Sequence, residues 1–156
     1  MFNAVIDAPF GKVGIRTDGV ALREVIYLPQ ITRAVAPDSP FAARVVEQIV
    51  RYFDEPAASF DLPLAEVGTP FQRRVWRGIS EIPPGIVWTY GQLAAHIGSV
   101  PRAVGQACGS NRFPLVIPCH RVVATNGIGG FAHTGGDGFF RDVKRWLLAH
   151  EGATYA

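Results

Sequence analysis

The feature that most constrains this chain is a change of period near residues 62–68. Before it, apolar residues come in short alternating runs; after it, they recur at three- and four-residue spacing. One layer of one kind cannot bury both patterns, so the spacing predicts two units, residues 1–66 and 67–156. In the first, Phe2–Ile6, Lys12–Arg16 and Leu22–Tyr27 read as strands separated by Pro9–Gly11 and Asp18–Gly19. Ser39 is the expected N-cap of a helix whose first residue is Pro40. Ala42, Val45, Val46, Ile49 and Phe53 would form its inner face, and Glu55–Pro56 its end. A short strand is expected near Ser59–Leu62. With 48% apolar residues, the 156-residue chain can bury a core without covalent staples.

In the second unit Thr69–Pro70 opens a helix with Phe71, Val75 and Ile79 on one face, and Pro83–Pro84–Gly85 breaks the pattern. Thr89 and Gln92 form a capping box, with Leu93, Ala94 and Ile97 inward behind it and Gly98 as the stop. Ser99 and Pro101 start a third helix that runs to Gly109. Two short helices joined by a glycine turn are a helix-turn-helix pattern. The third helix carries Ala103, Gly105, Ala107 and Gly109. An interior glycine costs about 1 kcal/mol against alanine, so something compensates. A tight helix–helix contact and a close approach of DNA are both open. The last helix covers Phe139–Glu151, with Phe140, Val143, Leu147 and Leu148 inward and Gly152 as its stop.

Charge separates along the chain. Residues 1–69 carry 6 basic and 9 acidic side chains, whereas residues 70–122 carry Arg73, Arg74, Arg77, Arg102, Arg112 and Arg121 against Glu81 alone. That is either the footprint of a polyanion or a solvated arginine face. No charged segment followed by an apolar run opens the chain, and no apolar run approaches the roughly 18 residues of a membrane span. A cytoplasmic protein without a membrane partner is expected. Cys108 and Cys119 do not form a zinc-ligand spacing with the four histidines, so free thiols and no metal are expected.

The chemistry concentrates in Leu115–Val123, where Cys119, His120 and Arg121 interrupt an apolar run, ahead of a glycine-rich stretch at Gly127–Gly136. A cysteine reacts as thiolate, and its free pKa lies near 8.5, so a base or a cation must favour the anion. His120 is adjacent, but consecutive residues point apart on strands and helices. Contact needs an irregular turn, which Pro118 can shape, or a bridging water. Glu151, in the last turn of a helix where the dipole disfavours an anion, either meets His120 or lies in solvent. Asn111 either pins the segment before Cys119 or merely ends a helix. Cys108 reads as a packing residue.

Pro118–Cys119–His120–Arg121–Val122 followed by a glycine-rich loop resembles the O6-alkylguanine-DNA alkyltransferases. So, in the same order, do Thr69–Pro70–Phe71–Gln72, Val75–Trp76, Ile82–Pro83, Thr89–Tyr90, Leu93–Ala94, Arg102–Ala103–Val104–Gly105, Asn111 and Trp146–Leu147–Leu148–Ala149–His150–Glu151. The resemblance spans about Thr69–Gly152 and implies a fold class: an α/β (α+β), ribonuclease-H-like small N-terminal domain, then a mainly helical winged-helix/helix-turn-helix DNA-binding domain. It also implies a function, direct-reversal repair in which an alkyl group moves irreversibly from O6 of guanine to the protein's own cysteine. O4-alkylthymine stays open as a second substrate.

Residue by residue, the resemblance makes Cys119 the acceptor and His120 the base, acting through a water. Glu151 orients His120, and Asn111 holds the turn. Tyr90 crowds the phosphate beside the target and hydrogen-bonds the leaving guanine. Arg102 fills the space of the flipped base, with Ala103 on the DNA-facing helix. The carbonyls of Cys119 and Val122 read the guanine amino group, and Phe131 and Lys144 lie at the site. The implied partner is double-stranded DNA containing O6-alkylguanine, bound by a monomer without cofactor. Three departures stand out: a short turn at Gly98–Pro101, Phe131 where a tyrosine is usual, and a long Ala132–Asp142 segment with His133 and Asp137. A non-catalytic reader of alkylated DNA would lack Cys119. A helix-turn-helix regulator would need polar base-reading residues on the 103–109 helix, and a thiol hydrolase would turn over repeatedly.

Overall fold

The computed structural model describes residues 1–129 and 138–155. By internal contacts the chain divides into two compact units, Met1–Val67 and Gly68–Ala156. No described helix is long and apolar enough to cross a membrane.

The first unit is an antiparallel meander, β1 (Ala4–Ala8), β2 (Gly11–Thr17) and β3 (Leu22–Leu28), with α1 (Pro40–Asp54) packed on β1 and β2. Register pairs Ile6 with Val13 and Gly14 with Ile26, with an irregularity at Arg16–Thr17. Ala4, Val13, Ile15, Val25 and Tyr27 from the sheet and Ala42, Val45, Ile49 and Tyr52 from α1 are buried. Ser39 caps α1 as its side chain accepts from Ala42 N at 3.1 Å.

Two details differ from expectation. Tyr52, not Phe53, is the last fully buried residue of α1; Phe53 instead packs edge-on against Phe10, with ring centroids 5.9 Å apart. No strand forms over Ser59–Leu62, because α1 side chains satisfy that backbone in place of a ladder. Gln48 donates to Asp61 O (3.2 Å) and accepts from Asp61 N (2.9 Å), and Arg51 donates to Ser59 O. Sheet pairing comes later, at Leu64 against Leu22.

The second unit packs α2 (Pro70–Ser80), α3 (Tyr90–Ile97) and α4 (Pro101–Gly109) against one another, with α5 (Phe139–His150) on the far side of a short central turn. Thr69 and Thr89 each form a full capping box, with Gln72 and Gln92. Gly98 ends α3 in the left-handed region (φ 70°), the conformation a tight inter-helix turn demands. Val100, not Ser99, is the N-cap of α4, and no side chain caps it. Ser99 N is instead spent on Ala94 O, closing the end of α3. Trp76 Nε1 reaches across to donate to Ala107 O at 2.9 Å, locking α4 to α2.

The small residues of α4 do not share a face, since positions two apart lie about 200° apart on a helix. Ala107 is buried beneath Trp76, whereas Ala103 and Gly105 are half-buried and Arg102 and Gln106 exposed. A Cβ added at Gly105 would meet nothing closer than Tyr90 Cδ1 at 4.0 Å. Internal packing explains Ala107; it does not explain Gly105.

Candidate active site

The apolar run around Cys119 is mostly not extended. Pro118 sits at φ −80°, ψ 65°, and Cys119 N donates to Ile117 O at 2.8 Å, the geometry of an inverse γ-turn. Cys119–Arg121 then form one 3-10 turn, with Val122 N bonded to Cys119 O. Only Val122–Val123 are extended, as β5, paired in parallel with β4 (Trp88–Thr89). This pairing sets the Cys119 turn beside the start of α3, where Tyr90 is the first residue. Buried Val123, Ile128 and Leu148 bind β5 to α5.

The turn buries all three of its side chains. His120 Nε2 lies 2.8 Å from Glu151 Oε2, and both side chains are 0% exposed. Glu151, the C-cap of α5, therefore does not lie in solvent. It also accepts from Arg121 Nε (2.9 Å, Oε1) and Nη2 (2.9 Å, Oε2), while Arg121 Nη1 donates to Ile82 O at 2.6 Å. The break at Pro83–Gly85 is thus the shelf under this cluster. Gly85, at φ 85°, leaves room where a Cβ would meet Glu151 O at 3.2 Å. Arg121 had no expected role. Its place between histidine and valine in the Pro118–Val122 motif was the available signal, but which anion it meets depends on a helix thirty residues away.

Asn111 closes the approach to the turn. Its Nδ2 donates to Ile117 O and its Oδ1 accepts from Phe113 N, both at 2.9 Å, and Ile117 N bonds Phe113 O. Inside this loop Leu115 is buried at φ 74°, a left-handed conformation costly for a branched side chain. Lys144, 0% exposed on α5, donates to Val122 O at 2.7 Å with its ammonium 5.9 Å from the Tyr90 ring centroid. Val122 O thus has a donor, as does Cys119 O from Val122 N, and each carbonyl keeps a second lone pair.

The electrostatics are those of a dry site. Burial pushes the Cys119 thiol up, and the Asn111 hydrogen bond and the Lys144 ammonium offset only part of that. Burial pulls Lys144 down to about 8 and His120 below its ordinary value, and it pushes Tyr90 up. At neutral pH the resting pair is a neutral thiol and a neutral imidazole. Burial, with the charge of Cys119 next, pushes Cys108 up to about 12, so it is a poor nucleophile.

The structure thus brings Cys119, His120, Glu151, Asn111, Val122, Lys144 and Tyr90 to one side of the second unit. Arg102 and Ala103 stand on α4, Arg102 exposed in its first turn. The expectations for Phe131, His133 and Asp137 fall outside the described residues.

The model of the 6-O-methylguanine DNA methyltransferase, DNA binding domain, family matches residues 70–153. The methylated-DNA–protein-cysteine methyltransferase of Methanosarcina acetivorans is 35% identical over 161 residues, covering 98% of this chain and 99% of that protein. Among solved structures, Mycobacterium tuberculosis O6-methylguanine methyltransferase superposes with a TM-score of 0.81 at 32% identity, over 97% of this chain and 93% of that one. M. tuberculosis OGT in complex with DNA gives 0.77 at 35% identity, over 95% and 91%. With a family model spanning more than half its length and a relative aligned almost end to end, the chain belongs to the 6-O-methylguanine DNA methyltransferase family.

Proposed function

We propose that this protein repairs DNA by moving an alkyl group from O6 of guanine to Cys119, once per molecule. The observation that carries the reading is the buried set of Cys119, His120 and Glu151, in which Glu151 Oε2 holds His120 Nε2 at 2.8 Å and leaves Nδ1 without a partner among the described residues. The Cys119 sulfur attacks the alkyl carbon, an S–C bond forms as the C–O6 bond breaks, and the bonding pair leaves with guanine. The thiol proton passes to His120 Nδ1 through a water, and Tyr90 hydrogen-bonds the leaving base. A thioether is not reversed by hydrolysis, so the protein is consumed.

A stacked base cannot reach the thiol of a cysteine that is only 7% exposed, so the target nucleotide is flipped out, at a cost of a few kcal/mol. Arg102 fills the space it leaves. The Cys119 and Val122 carbonyls receive the guanine amino group on their second lone pairs, Lys144 holds the Val122 carbonyl in place, and Asn111 holds the turn. Residues 1–66 form the ribonuclease-H-like domain and residues 67–156 the winged-helix domain, whose helix-turn-helix (α3, Gly98, α4) enters the minor groove with Gly105, open to a close approach, toward the backbone. The partner is double-stranded DNA with O6-alkylguanine, bound in the cytoplasm by a monomer that needs no cofactor.

Intact-protein and peptide mass spectrometry after incubation with O6-methylguanine duplex tests this. One methyl per molecule on the Cys119 peptide, with repair stopping at one equivalent, is expected. Tight binding without a mass change would replace transfer with damage reading. Gly105→Ala tests the groove contact. With room for the methyl at 4.0 Å from Tyr90, the free protein is expected to gain up to about 1 kcal/mol of stability in thermal melts while duplex affinity drops severalfold. Unchanged affinity would remove α4 from the interface.

A further inference from the structure

We infer that Arg121 is a positioning residue of this site: by forking Glu151 it determines which ring nitrogen of His120 carries the hydrogen. A guanidinium stays protonated and has no acceptor, so all three of its contacts are donations. Nε and Nη2 give to the two Glu151 oxygens and Nη1 gives to Ile82 O. A carboxylate beside that fork stays ionised, and its Oε2 can only accept. His120 Nε2, 2.8 Å from the same oxygen, is therefore the donor. A neutral imidazole carries one N–H, which leaves the lone pair on Nδ1. That atom is buried with no hydrogen-bond partner among the described residues, and it is the nitrogen the proposed reaction needs as base.

The fork has a second consequence, in charge. A bare carboxylate against His120 would draw a proton onto the ring and use up the base before the thiol arrives. Among the described residues, three charged groups face His120: Glu151 at the C-cap of α5, Lys144 on α5, and Arg121 on its own turn. Of these three, Glu151 favours the imidazolium, and Arg121 and Lys144 oppose it. Arg121 thus lets Glu151 orient the ring without charging it. It also makes a buried anion tolerable at the negative end of the α5 dipole. Its third arm, on the carbonyl of Ile82, keeps the fork from following Glu151 if that side chain moves.

The rate consequences rest on the alkyl-transfer reading; the tautomer does not. In full-length protein labelled with 15N at histidine, NMR at neutral pH is expected to report His120 as the Nε2–H tautomer, and an Nδ1–H tautomer would overturn the inference. In Arg121→Gln, the His120 titration and the acid limb of the rate of reaction with O6-benzylguanine are both expected to move up by about one pH unit or more, because one opposing charge is gone. Arg121→Lys restores the charge and should return most of that shift. Arg121→Gln combined with Glu151→Gln should show no upward shift, since no carboxylate remains; a merely structural arginine would leave both limbs in place in every variant. Should Arg121→Gln not fold, the wild-type tautomer and the Arg121→Lys profile decide. If wild-type protein does not react with O6-benzylguanine, the functional reading fails, while the tautomer and the NMR titration still decide the role of Arg121.

Discussion

Cys119→Ala is expected to abolish methyl transfer while keeping affinity for an O6-methylguanine duplex within a few fold of wild type. The sulfur is the only heavy atom lost, from a residue 7% exposed at the start of the turn. The alanine leaves the γ-turn at Pro118, the Asn111 bonds to Ile117 O and Phe113 N, and the Lys144 bond to Val122 O untouched, because none of them uses the thiol. Folding should therefore lose only about 1 kcal/mol, the cost of a small cavity. Single-turnover transfer from labelled DNA, beside a gel-shift titration, checks both halves. Residual transfer would have to come from Cys108, whose thiol burial pushes up even without the Cys119 charge beside it. Transfer to Cys108 in the variant would mean that the pocket, rather than one thiolate, defines the acceptor.

Glu151→Ala is expected to cost about 3–5 kcal/mol of stability, a large part of the roughly 5–15 kcal/mol a domain possesses. The carboxylate and the His120 ring are 0% exposed and the Arg121 side chain 9% exposed, so the truncation strands a guanidinium and an imidazole N–H without water. An exposed pair gives the contrast. Asp142→Ala, which breaks only the Arg145–Asp142 contact on the outside of α5, should stay within about 0.5 kcal/mol. Urea denaturation of both variants is the measurement. A loss below 1 kcal/mol for Glu151→Ala would mean that the cluster opens to solvent.

The two capping boxes, the glycine stop of α3 and the proline start of α1 were legible in the sequence, because each is settled within a turn or two by residues three or four apart. The meander was legible for the same reason, each strand being bounded by its own turn residues. The Cys119–His120–Glu151 set was named from a motif, and Asn111 from its place before it. Where the local signal failed, a distant group had satisfied the backbone. Gln48 and Arg51 on α1 took the bonds that would have made Ser59–Leu62 a strand. Trp76 reached Ala107 O and gave the α4 small residues two different roles.

The reactive centre itself was the least local part. Composition showed Leu115–Val123 only as an apolar run interrupted by three polar residues, whereas the chain turns sharply at Pro118 and delivers His120 and Arg121 together onto one carboxylate. That carboxylate comes from the end of α5, and the third arm of Arg121 lands on Ile82, 39 residues back. By itself the sequence determined which residues could do chemistry and how each helix begins and ends, since both follow from side-chain type and short spacing. Only the tertiary structure decided which groups His120 and Arg121 meet on Glu151, because buried charges must be paired by whatever the fold brings within three ångströms.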